Sequence, residues 1–432
     1  MHDFTFRRGR LHCEQVPVEA LAQKFGSPLY VYSQATLLGH VQRLREALAT
    51  LDPLVCFAVK SNSNLAVLQL LGQAGCGFDI VSEGELRRVL AAGGDAGRCV
   101  FAGVGKTERE IAFALSQGIY SLNVESEPEL ERINRIAGRL RRPAPVAIRV
   151  NPNVDARTHA KITTGTYENK FGIAFEQVEA VYARANQLKH IRLRGLQMHI
   201  GSQLTDVAPF AAAVERVAPL ARRLAHRYGI DFLSVGGGLG IVYQPALASG
   251  QAKWWRGQAA TGLLTPASYA EALIPQLQPL GLKILLEPGR FIAGNAGILV
   301  TRVEFVKKTG RKNFVVVDAA MNDLIRPAFY DSYHEIVPLR RFRRGTFKAD
   351  VVGPICESGD TFARDRKLPP VQAGDYLALM SAGAYGSVMG SNYNSRPLAA
   401  EVMVNGRQAD LVRMREPVED LWRLERIPSW LA

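Results

Sequence analysis

The sequence predicts an α/β fold in which a (β/α)8 TIM-type barrel is joined to a separate antiparallel β domain. Between residues 54 and 287, eight short apolar runs alternate with helical patterns. Most of these runs are continuously apolar, as expected of parallel strands that are covered on both faces. After residue 290 the pattern changes to strand-like runs separated by Gly, Asn and Pro turns. That second pattern is typical of an antiparallel sheet.

The strand candidates of the barrel are, in chain order, LVCFAVK (54–60), CGFDIVS (76–82), RCVFAG (98–103), IYSLNVE (119–125), PVAIRVN (145–151), LRGLQMHI (193–200), DFLSVGGG (231–238) and KILLEPG (283–289). Segments such as 82–94 and 125–140 fit the intervening helices, with acidic residues at their starts. Their total span is close to the roughly 250 residues of a typical barrel. A doubly wound sheet is the alternative, although eight parallel strands would make a large open sheet.

The predicted domain boundaries follow the change of pattern. Residues 35–290 are assigned to the barrel, and residues 1–34 join 291–432 in the β domain. The segment 244–265 is predicted to be an excursion loop, in which Trp254 and Trp255 pack locally or against a partner.

Composition limits the class of protein. With 432 residues, 47% hydrophobic and 22% charged, the chain resembles an ordinary globular protein that is long enough for two domains. No run reaches the roughly 18 to 20 apolar residues of a membrane span, and the first residues lack a secretory signal, so a cytoplasmic location is expected. The five cysteines are odd in number, far apart and without a CxxC pair. Neither a metal site nor a disulfide framework is therefore expected.

The net charge of +13 raises the question of a nucleic-acid partner. The basic residues are dispersed, and the densest run, at 339–348, has no recognisable nucleic-acid module around it. A solvated basic face is the preferred interpretation, and no nucleic-acid partner is predicted.

Chemically active side chains follow the predicted strands of the barrel. The carboxyl ends of barrel strands share one rim, where active sites of this fold lie. The rim residues in chain order are Lys60, Asp79, Arg149, His199, Gly236–Gly238, Glu287 and Arg290.

This set suits a phosphate-bearing aldehyde cofactor. A lysine amine can form a Schiff base when burial or cationic neighbours lower its pKa. Consecutive glycines let backbone N–H groups approach a phosphate, and a carboxylate beside a pyridine nitrogen keeps that nitrogen protonated. Each residue taken alone is more often structural, and their joint placement on one rim favours a site.

The motifs themselves resemble those of a known family. FAVKSN (57–62), HIGSQ (199–203), GGGLG (236–240) and EPGR (287–290) resemble motifs of the alanine-racemase-like, fold-type III decarboxylases that use pyridoxal 5′-phosphate (PLP). Motifs of the carboxyl-terminal half and two shorter ones look like those of bacterial diaminopimelate decarboxylases. They are MNDLIRPAFY (321–330), GPICESGD (353–360), GAYG (383–386), SNYNSRP (391–397), GVGKT (103–107) and ENKFG (168–172).

The resemblance implies roles for individual residues. Lys60 would carry PLP, His199 would stack on its ring and Glu287 would face the pyridine nitrogen. The remaining cofactor contacts would come from Asp79, Ser202, Gly237, Gly238, Gly289, Arg290 and Tyr385. The distal carboxylate of the substrate would be bound by Arg290, Arg326 and Tyr330, with Tyr385 as a further substrate contact.

The resemblance also implies a homodimer with shared active sites. Cys356, as proton donor, and Glu357, as a substrate contact, would enter from the partner subunit. The implied reaction is the decarboxylation of meso-2,6-diaminopimelate to L-lysine and CO2, the last step of lysine biosynthesis.

Other functions remain open at this point. An ornithine or arginine decarboxylase would share the lysine, histidine and glycine motifs, but burying Arg326 against a cationic tail would cost several kcal/mol. An alanine racemase would explain the fold but not the motifs of the carboxyl-terminal half. A non-catalytic PLP-binding homologue would usually lose the lysine or the proton donor, and both are present here.

Overall fold

The computed structural model describes residues 1–155, 170–258, 261–341 and 345–431. The chain divides into two compact units. The first, called the barrel unit below, comprises Leu37–Ile241 and Gly257–Ile292. The second, called the β unit, comprises Met1–Thr36, Val242–Arg256 and Ala293–Ala432. The β unit is thus assembled from three separate stretches of chain.

The strands are, in chain order, β1 (Phe4–Arg7), β2 (Arg10–Cys13), β3 (Val16–Pro17), β4 (Leu29–Ser33), β5 (Leu54–Ala58), β6 (Gly77–Ile80), β7 (Cys99–Phe101), β8 (Ser121–Val124), β9 (Ala144–Asn151), β10 (Ile173–Ala174), β11 (Ile191–Met198), β12 (Phe232–Ser234), β13 (Lys283–Leu286), β14 (Gly297–Lys308), β15 (Asn313–Val317), β16 (Ile336–Pro338), β17 (Phe347–Val352), β18 (Thr361–Leu368), β19 (Tyr376–Leu379), β20 (Ala400–Asn405) and β21 (Gln408–Arg413).

The α-helices are α1 (Val18–Phe25), α2 (Gln34–Ala47), α3 (Leu65–Gln73), α4 (Glu83–Ala91), α5 (Glu108–Ser116), α6 (Glu127–Leu140), α7 (Val178–Gln187), α8 (Ala208–Tyr228), α9 (Ala246–Ser249), α10 (Ala252–Arg256), α11 (Pro266–Leu277), α12 (Arg290–Ala293) and α13 (Arg326–Tyr330). Among the described residues, no helix is both long enough and apolar enough to span a bilayer.

Eight parallel strands close into a barrel. Each pairs with the next in the order β5, β6, β7, β8, β9, β11, β12 and β13, and β13 pairs back with β5. Each of the eight predicted strand runs overlaps one of these strands, although β9 begins one residue and β11 two residues before its predicted run. Their side chains fill a buried core that includes Cys56, Val100, Phe232 and Leu285. The predicted barrel is confirmed.

Two of the helices between the strands, α4 and α5, begin at conventional capping residues. The Ser82 side chain accepts a hydrogen bond from the backbone of Glu85 at the start of α4. Thr107 and Glu110 cap the start of α5 reciprocally. These caps satisfy N–H groups that lack a partner within the helix. The loops before α4 and α5 therefore end, and the helices begin, at a defined residue.

The β unit contains a mostly antiparallel sheet. The main order is β18-β17-β15-β14-β4-β20-β21, and β19 pairs with both β14 and β16. Two pairs, β15 with β17 and β4 with β20, are parallel. Strand β4 is buried along its whole length at the middle of the sheet. The prediction of a separate, largely antiparallel sheet is confirmed.

The predicted excursion contains two short helices, α9 and α10. Trp254 and Trp255 pack edge to face with ring centroids 5.0 Å apart, and the indole N–H of Trp255 donates to the carbonyl of Ser249 at 2.6 Å. The two tryptophans therefore pack locally. Residues 259–260 of this segment and 342–344 of the basic run lie outside the described residues.

Candidate active site

The lysine predicted to carry the cofactor lies at the carboxyl-terminal rim of the barrel. Lys60 follows β5 in a short 3-10 turn, Val59–Ser61, and Asp79 lies on the neighbouring strand β6. The Lys60 Nζ forms an ion pair with Asp79 Oδ2. The Lys60 side chain is 38% exposed whereas that of Asp79 is 2% exposed, so a buried anion holds a partly accessible amine. Asp79 Oδ1 is also buried, and it has no hydrogen-bond partner among the residues that the structure describes.

A second buried carboxylate lies on the rim after β13, the strand that pairs with β5. Glu287 accepts hydrogen bonds from Ser234 Oγ at 2.6 Å and from Gln197 Nε2 at 2.9 Å. Strand register explains this arrangement, because Gln197 on β11 lies opposite Ser234 on β12. Both donors are fully buried, so the carboxyl group of Glu287 is fixed in place.

Burial, with a smaller contribution from the Asp79 carboxylate, raises the pKa of Glu287 to about 7. The hydrogen bonds from Ser234 and Gln197 and the positive charge of Lys60 act in the opposite direction. The two carboxylates, Asp79 and Glu287, thus lie in one buried region near the Lys60 amine. A cationic group placed between them would favour the ionised form of both.

His199 is joined to the glycine-rich loop. The backbone N–H of Gly237 donates to His199 Nδ1 at 3.2 Å, so the neutral ring carries its hydrogen on Nε2. Burial and, to a lesser degree, the charges of Arg149 and Lys60 lower the pKa of His199 well below its ordinary value. The imidazole is therefore a neutral, oriented plane at the rim.

The glycine loop requires glycine for steric reasons. A Cβ on Gly237 would lie 2.2 Å from the carbonyl oxygen of Glu287, and one on Gly238 would lie 2.6 Å from that of Gly201. Gly238 also has a φ of +106°, which a residue with a side chain rarely adopts. The loop thus packs its backbone directly against the strand ends beside it.

Three more of the predicted cofactor contacts, Ser202, Gly289 and Arg290, lie on the same rim. Arg290 is buried, and its Nε and Nη2 donate to Ser202 Oγ at 3.3 and 3.2 Å. A Cβ on Gly289 would lie 2.9 Å from the Cβ of Ser61, next to the predicted lysine. The sequence predictions for the barrel therefore fall on one rim of one unit.

Two buried ion pairs, Arg149–Glu125 and Lys106–Glu129, lie in the barrel unit and stabilise the strand ends at the rim. Arg149 Nη1 bonds both oxygens of Glu125, at 3.0 and 3.1 Å. Lys106 of the GVGKT motif binds Glu129 at 2.7 Å and two backbone carbonyls. Glu129 in turn accepts from the backbone N–H of Glu125 at 2.8 Å. The motif thus has a structural role, and in the ENKFG motif residues 168–169 lie outside the described part of the chain.

Sequence reasoning missed Gln197, Ser234 and Glu85. The first two are single polar residues inside apolar strand runs, two residues before His199 and Gly236, and that position is the signal that could have found them. Burial raises the pKa of Glu85 to about 7 against the opposing effect of its bond from the backbone of Val81. Glu85 begins a helix, so its sequence position reads only as an ordinary acidic first turn.

The predicted substrate-binding residues Arg326 and Tyr330 lie in the β unit, at the two ends of α13. Arg326 is 5% exposed, and its guanidinium carbon lies 5.9 Å from the Tyr330 ring centroid. Its Nη2 donates to Ser332 Oγ at 3.2 Å. The structure thus brings these two predicted residues together.

Cys356 and Glu357 lie on an exposed loop of the same unit. The backbone N–H of Cys356 donates to Asn394 Oδ1 at 3.1 Å. The pKa of Tyr393 is raised because its hydroxyl is hydrogen-bonded to the Glu357 carboxylate. Asp360 anchors the loop by accepting from the backbone of Met321 and Ile355. The thiol is therefore presented outward on a loop with a defined shape.

Tyr385 lies in the turn after β19, in the left-handed backbone region with a φ of 55°. That conformation is costly for a residue with a ring, and such outliers cluster at functional sites. The neighbouring Gly383 is bound by its N–H to Gly294 at 2.9 Å and has no space for a Cβ. The tyrosine is thus held in a strained turn by a closely packed glycine.

Comparison with known proteins shows the family to which the whole chain is similar. The family model described as the pyridoxal binding domain of pyridoxal-dependent decarboxylases matches residues 34–294. A diaminopimelate decarboxylase of Vibrio cholerae is 50% identical over 421 residues, which cover 97% of this chain and 97% of that protein. One of Aquifex aeolicus is 46% identical over 412 residues, covering 95% of this chain and 94% of that protein.

Solved structures match over the same length. The diaminopimelate decarboxylase of Helicobacter pylori complexed with L-lysine has a TM-score of 0.87 at 40% identity, covering 94% of this chain and 98% of that one. A crystal structure of the diaminopimelate decarboxylase from M. jannaschii has a TM-score of 0.91 at 34% identity, covering 100% of this chain and 99% of that one. The similarity therefore extends over both units.

Proposed function

This chain belongs to the diaminopimelate decarboxylase family of pyridoxal-dependent decarboxylases, and from that premise we propose that it converts meso-2,6-diaminopimelate to L-lysine and CO2. One observation supports this most directly. The Lys60 amine is paired with the buried Asp79 on the same barrel rim as the oriented carboxyl group of Glu287. That arrangement places an amine and a carboxylate where a pyridine aldehyde needs them.

The rim residues fit PLP. Asp79 Oδ1 is a buried acceptor without a partner in the described part of the chain, so a cationic or N–H-bearing group placed there would satisfy it. Gly237 and Gly238 expose backbone where a Cβ has no space, which suits close approach to a phosphate. Lys60 would hold PLP through its amine, and Ser202, Gly237, Gly238, Gly289, Arg290 and Tyr385 would hold the phosphate.

Bound PLP would supply an electron sink for the pair of electrons that remains on carbon when CO2 leaves. The ionised Glu287, fixed by Ser234 and Gln197, would stabilise a proton on the pyridine nitrogen. His199 would contribute a neutral plane against the ring, because its Nδ1 is already bonded to Gly237. Each of these groups is oriented within the barrel unit.

The substrate is an amino acid with a second, distal carboxylate. We propose that Arg290, Arg326 and Tyr330 bind that carboxylate, with Glu357 and Tyr385 as further contacts. Guanidinium groups suit this task since they form two parallel hydrogen bonds to a carboxylate. Because meso-diaminopimelate has one D and one L centre, a product of L-configuration requires that the carboxyl group leave from the D centre.

The proton that replaces the lost carboxyl group would come from the Sγ of Cys356. We propose that Cys356 and Glu357 act from the partner subunit of a homodimer, so each active site is shared. The outward position of their loop supports this assignment, since both residues are exposed.

Purified, PLP-loaded protein should be assayed against meso-diaminopimelate, ornithine and arginine, with CO2 and the amine product followed together. We expect L-lysine from the first substrate only. Release of CO2 from ornithine or arginine at a comparable rate would contradict the assignment, and PLP binding without CO2 release from any of the three would indicate a non-catalytic homologue.

Shared active sites can be tested by mixing two inactive variants, Lys60→Ala and Cys356→Ala. If Cys356 acts across the dimer, random reassortment restores one intact site in half of the dimers, or about a quarter of wild-type activity. No recovery after verified subunit exchange would place Cys356 in its own subunit's site.

We also propose that the enzyme acts in the cytoplasm. The five cysteines, all within the described residues, are free thiols, which suits a reducing compartment. Cell fractionation with detection of the chain would test this location.

A further inference from the structure

We propose that His334 and Tyr243 are positioning residues that orient the guanidinium plane of Arg326 and thereby set the selectivity for a substrate with a distal carboxylate. The inference rests on the proposed function, in which Arg326 binds that carboxylate. It adds two residues, neither of them part of the sequence motifs discussed above. All three residues belong to the β unit.

The tautomer of His334 follows from its two neighbours. His334 is fully buried, and its Nδ1 lies 2.8 Å from the carbonyl oxygen of Met380, which can only accept. Its Nε2 lies 3.4 Å from Arg326 Nε, which can only donate. A neutral imidazole with its hydrogen on Nδ1 satisfies both neighbours. His334 thus acts as a rigid link from the backbone of the sheet to the guanidinium group.

A second contact fixes the plane of that group. Arg326 Nη2 donates to Ser332 Oγ at 3.2 Å, so the guanidinium is held along its Nε–Nη2 edge at two points. A guanidinium is planar, and two bonds along one edge define the directions of its remaining N–H groups. The orientation of Arg326 is therefore set by residues that are not themselves proposed to touch the substrate.

Aromatic rings complete the arrangement. Tyr243 packs edge-on against His334 with centroids 5.4 Å apart, and its ring centroid lies 5.5 Å from the Arg326 guanidinium carbon. The Tyr330 ring lies 5.9 Å from the same atom. Cation–π contacts at these distances hold a buried guanidinium without neutralising its charge.

The expected consequence is selectivity rather than general activity. A bidentate bond to a carboxylate depends on the direction of the guanidinium fork, so tilting the plane weakens recognition of the distal carboxylate. Reaction at the D centre does not involve that carboxylate. D-lysine, which is meso-diaminopimelate without its distal carboxylate, should therefore be insensitive to the orientation of Arg326.

The test compares His334→Leu with His334→Gln on both substrates, using the PLP-loaded enzyme. We expect His334→Leu to lower kcat/KM for meso-diaminopimelate roughly 10- to 100-fold, mainly through KM, as for loss of a hydrogen bond to a charged group. The value for D-lysine should change less than about twofold by the same argument. His334→Gln retains an acceptor that can reach Arg326 and should recover most of the loss.

Two further measurements keep the test decisive. If D-lysine turns over too slowly, inhibition by L-lysine, which keeps the distal carboxylate, is compared with inhibition by 1,5-diaminopentane, which lacks it. If His334→Leu does not fold, Tyr243→Leu is compared with Tyr243→Phe, which retains the ring. Equal losses for both substrates, or no loss for either, would overturn the positioning role. Failure of the wild-type enzyme to act on meso-diaminopimelate would instead overturn the proposed function.

Discussion

The two halves of the candidate machinery are built in different ways. On the barrel rim, the site residues are bonded to one another or to buried carboxylates, as in the pair Lys60–Asp79 and the Ser234–Glu287 bond. In the β unit, Arg326 is held by a histidine, a serine and aromatic rings, and Cys356 is exposed on a loop.

The difference follows from the chemistry of each task. A cofactor that stays bound needs a fixed set of charges, and buried ion pairs provide it at the cost of desolvation. A site for a transient anionic group needs a cation whose charge is not already cancelled. His334, Ser332 and Tyr243 contact Arg326, and in our proposal they orient its guanidinium group for the distal carboxylate of the substrate.

The largest expected effect is on the barrel side. Lys60→Ala should abolish the visible absorbance of the protein-bound cofactor and lower turnover by at least about 10³-fold, because no other amine replaces the nucleophile. The matched control is Lys189→Ala, which removes the same charge from an exposed turn after α7. Retained turnover in Lys60→Ala would contradict the assignment of cofactor binding to the barrel rim.

Loss of a buried charge pair should come next. Arg149→Leu leaves Glu125 buried without its cation and should lower the free energy of unfolding by about 3 to 5 kcal/mol. Arg223→Leu breaks an exposed pair with Glu179, whose side chains are 57% and 51% exposed, and should cost less than about 1 kcal/mol. Denaturant unfolding of both variants measures the difference, and equal costs would contradict the importance of burial.

Glu287 should make the stability of the cofactor-free protein depend on pH. Its pKa is raised to about 7 in the folded chain from an ordinary 4.5, so between these values the unfolded chain releases a proton that the folded chain keeps. Stability is therefore highest below pH 4.5 for this group and falls as pH rises, by up to about 3 kcal/mol at pH 8.

Glu287→Gln should lose that dependence, because an amide does not titrate. Unfolding at pH 5 and pH 8 gives the difference between the two proteins, in which the titration of other groups cancels. A constant difference across this range would show that the carboxyl group is already ionised in the folded chain.

The smallest expected effect concerns Cys356 in the β unit, and it tests whether catalysis there can be separated from cofactor binding on the barrel rim. Cys356→Ala should lower kcat about 10²-fold, as for loss of a general acid, while the absorbance of the bound cofactor stays unchanged. Ser358→Ala, two residues along the same exposed loop, is the control. Loss of cofactor binding in Cys356→Ala would mean that the two regions are not separable in function.

Much of the fold could be predicted because its signals are local. Continuous apolar runs such as LVCFAVK and KILLEPG mark parallel strands whichever partners they take, and each of the eight runs overlaps one barrel strand. Some predicted runs are longer than their strands, because residues of the following turn continue the pattern of the strand. Lys60, for example, belongs to the first run but lies in the turn after β5. The hydrophobic period and the composition do not distinguish the last residue of a strand from the first residues of the turn.

Residues whose role depends on strand register could not be predicted in the same way. Gln197 reaches Glu287 only because β11, β12 and β13 align at matching positions, and nothing in the local sequence specifies that alignment. His334 contacts Arg326 across eight residues without any helical period. Such contacts are set by tertiary packing, which a local pattern does not record.

The central place of β4 has a consequence for how the chain is made. Strand β4 leaves the ribosome early, yet its neighbours β14 and β20 are translated some 270 and 370 residues later. The sheet therefore stays incomplete through most of translation, while the strands of the barrel can pair as they emerge. A chain released before residue 405 would leave β4, the LYVYS segment, without its complete partner β20. Chaperone binding and aggregation therefore compete with folding mainly while the β unit is still being translated.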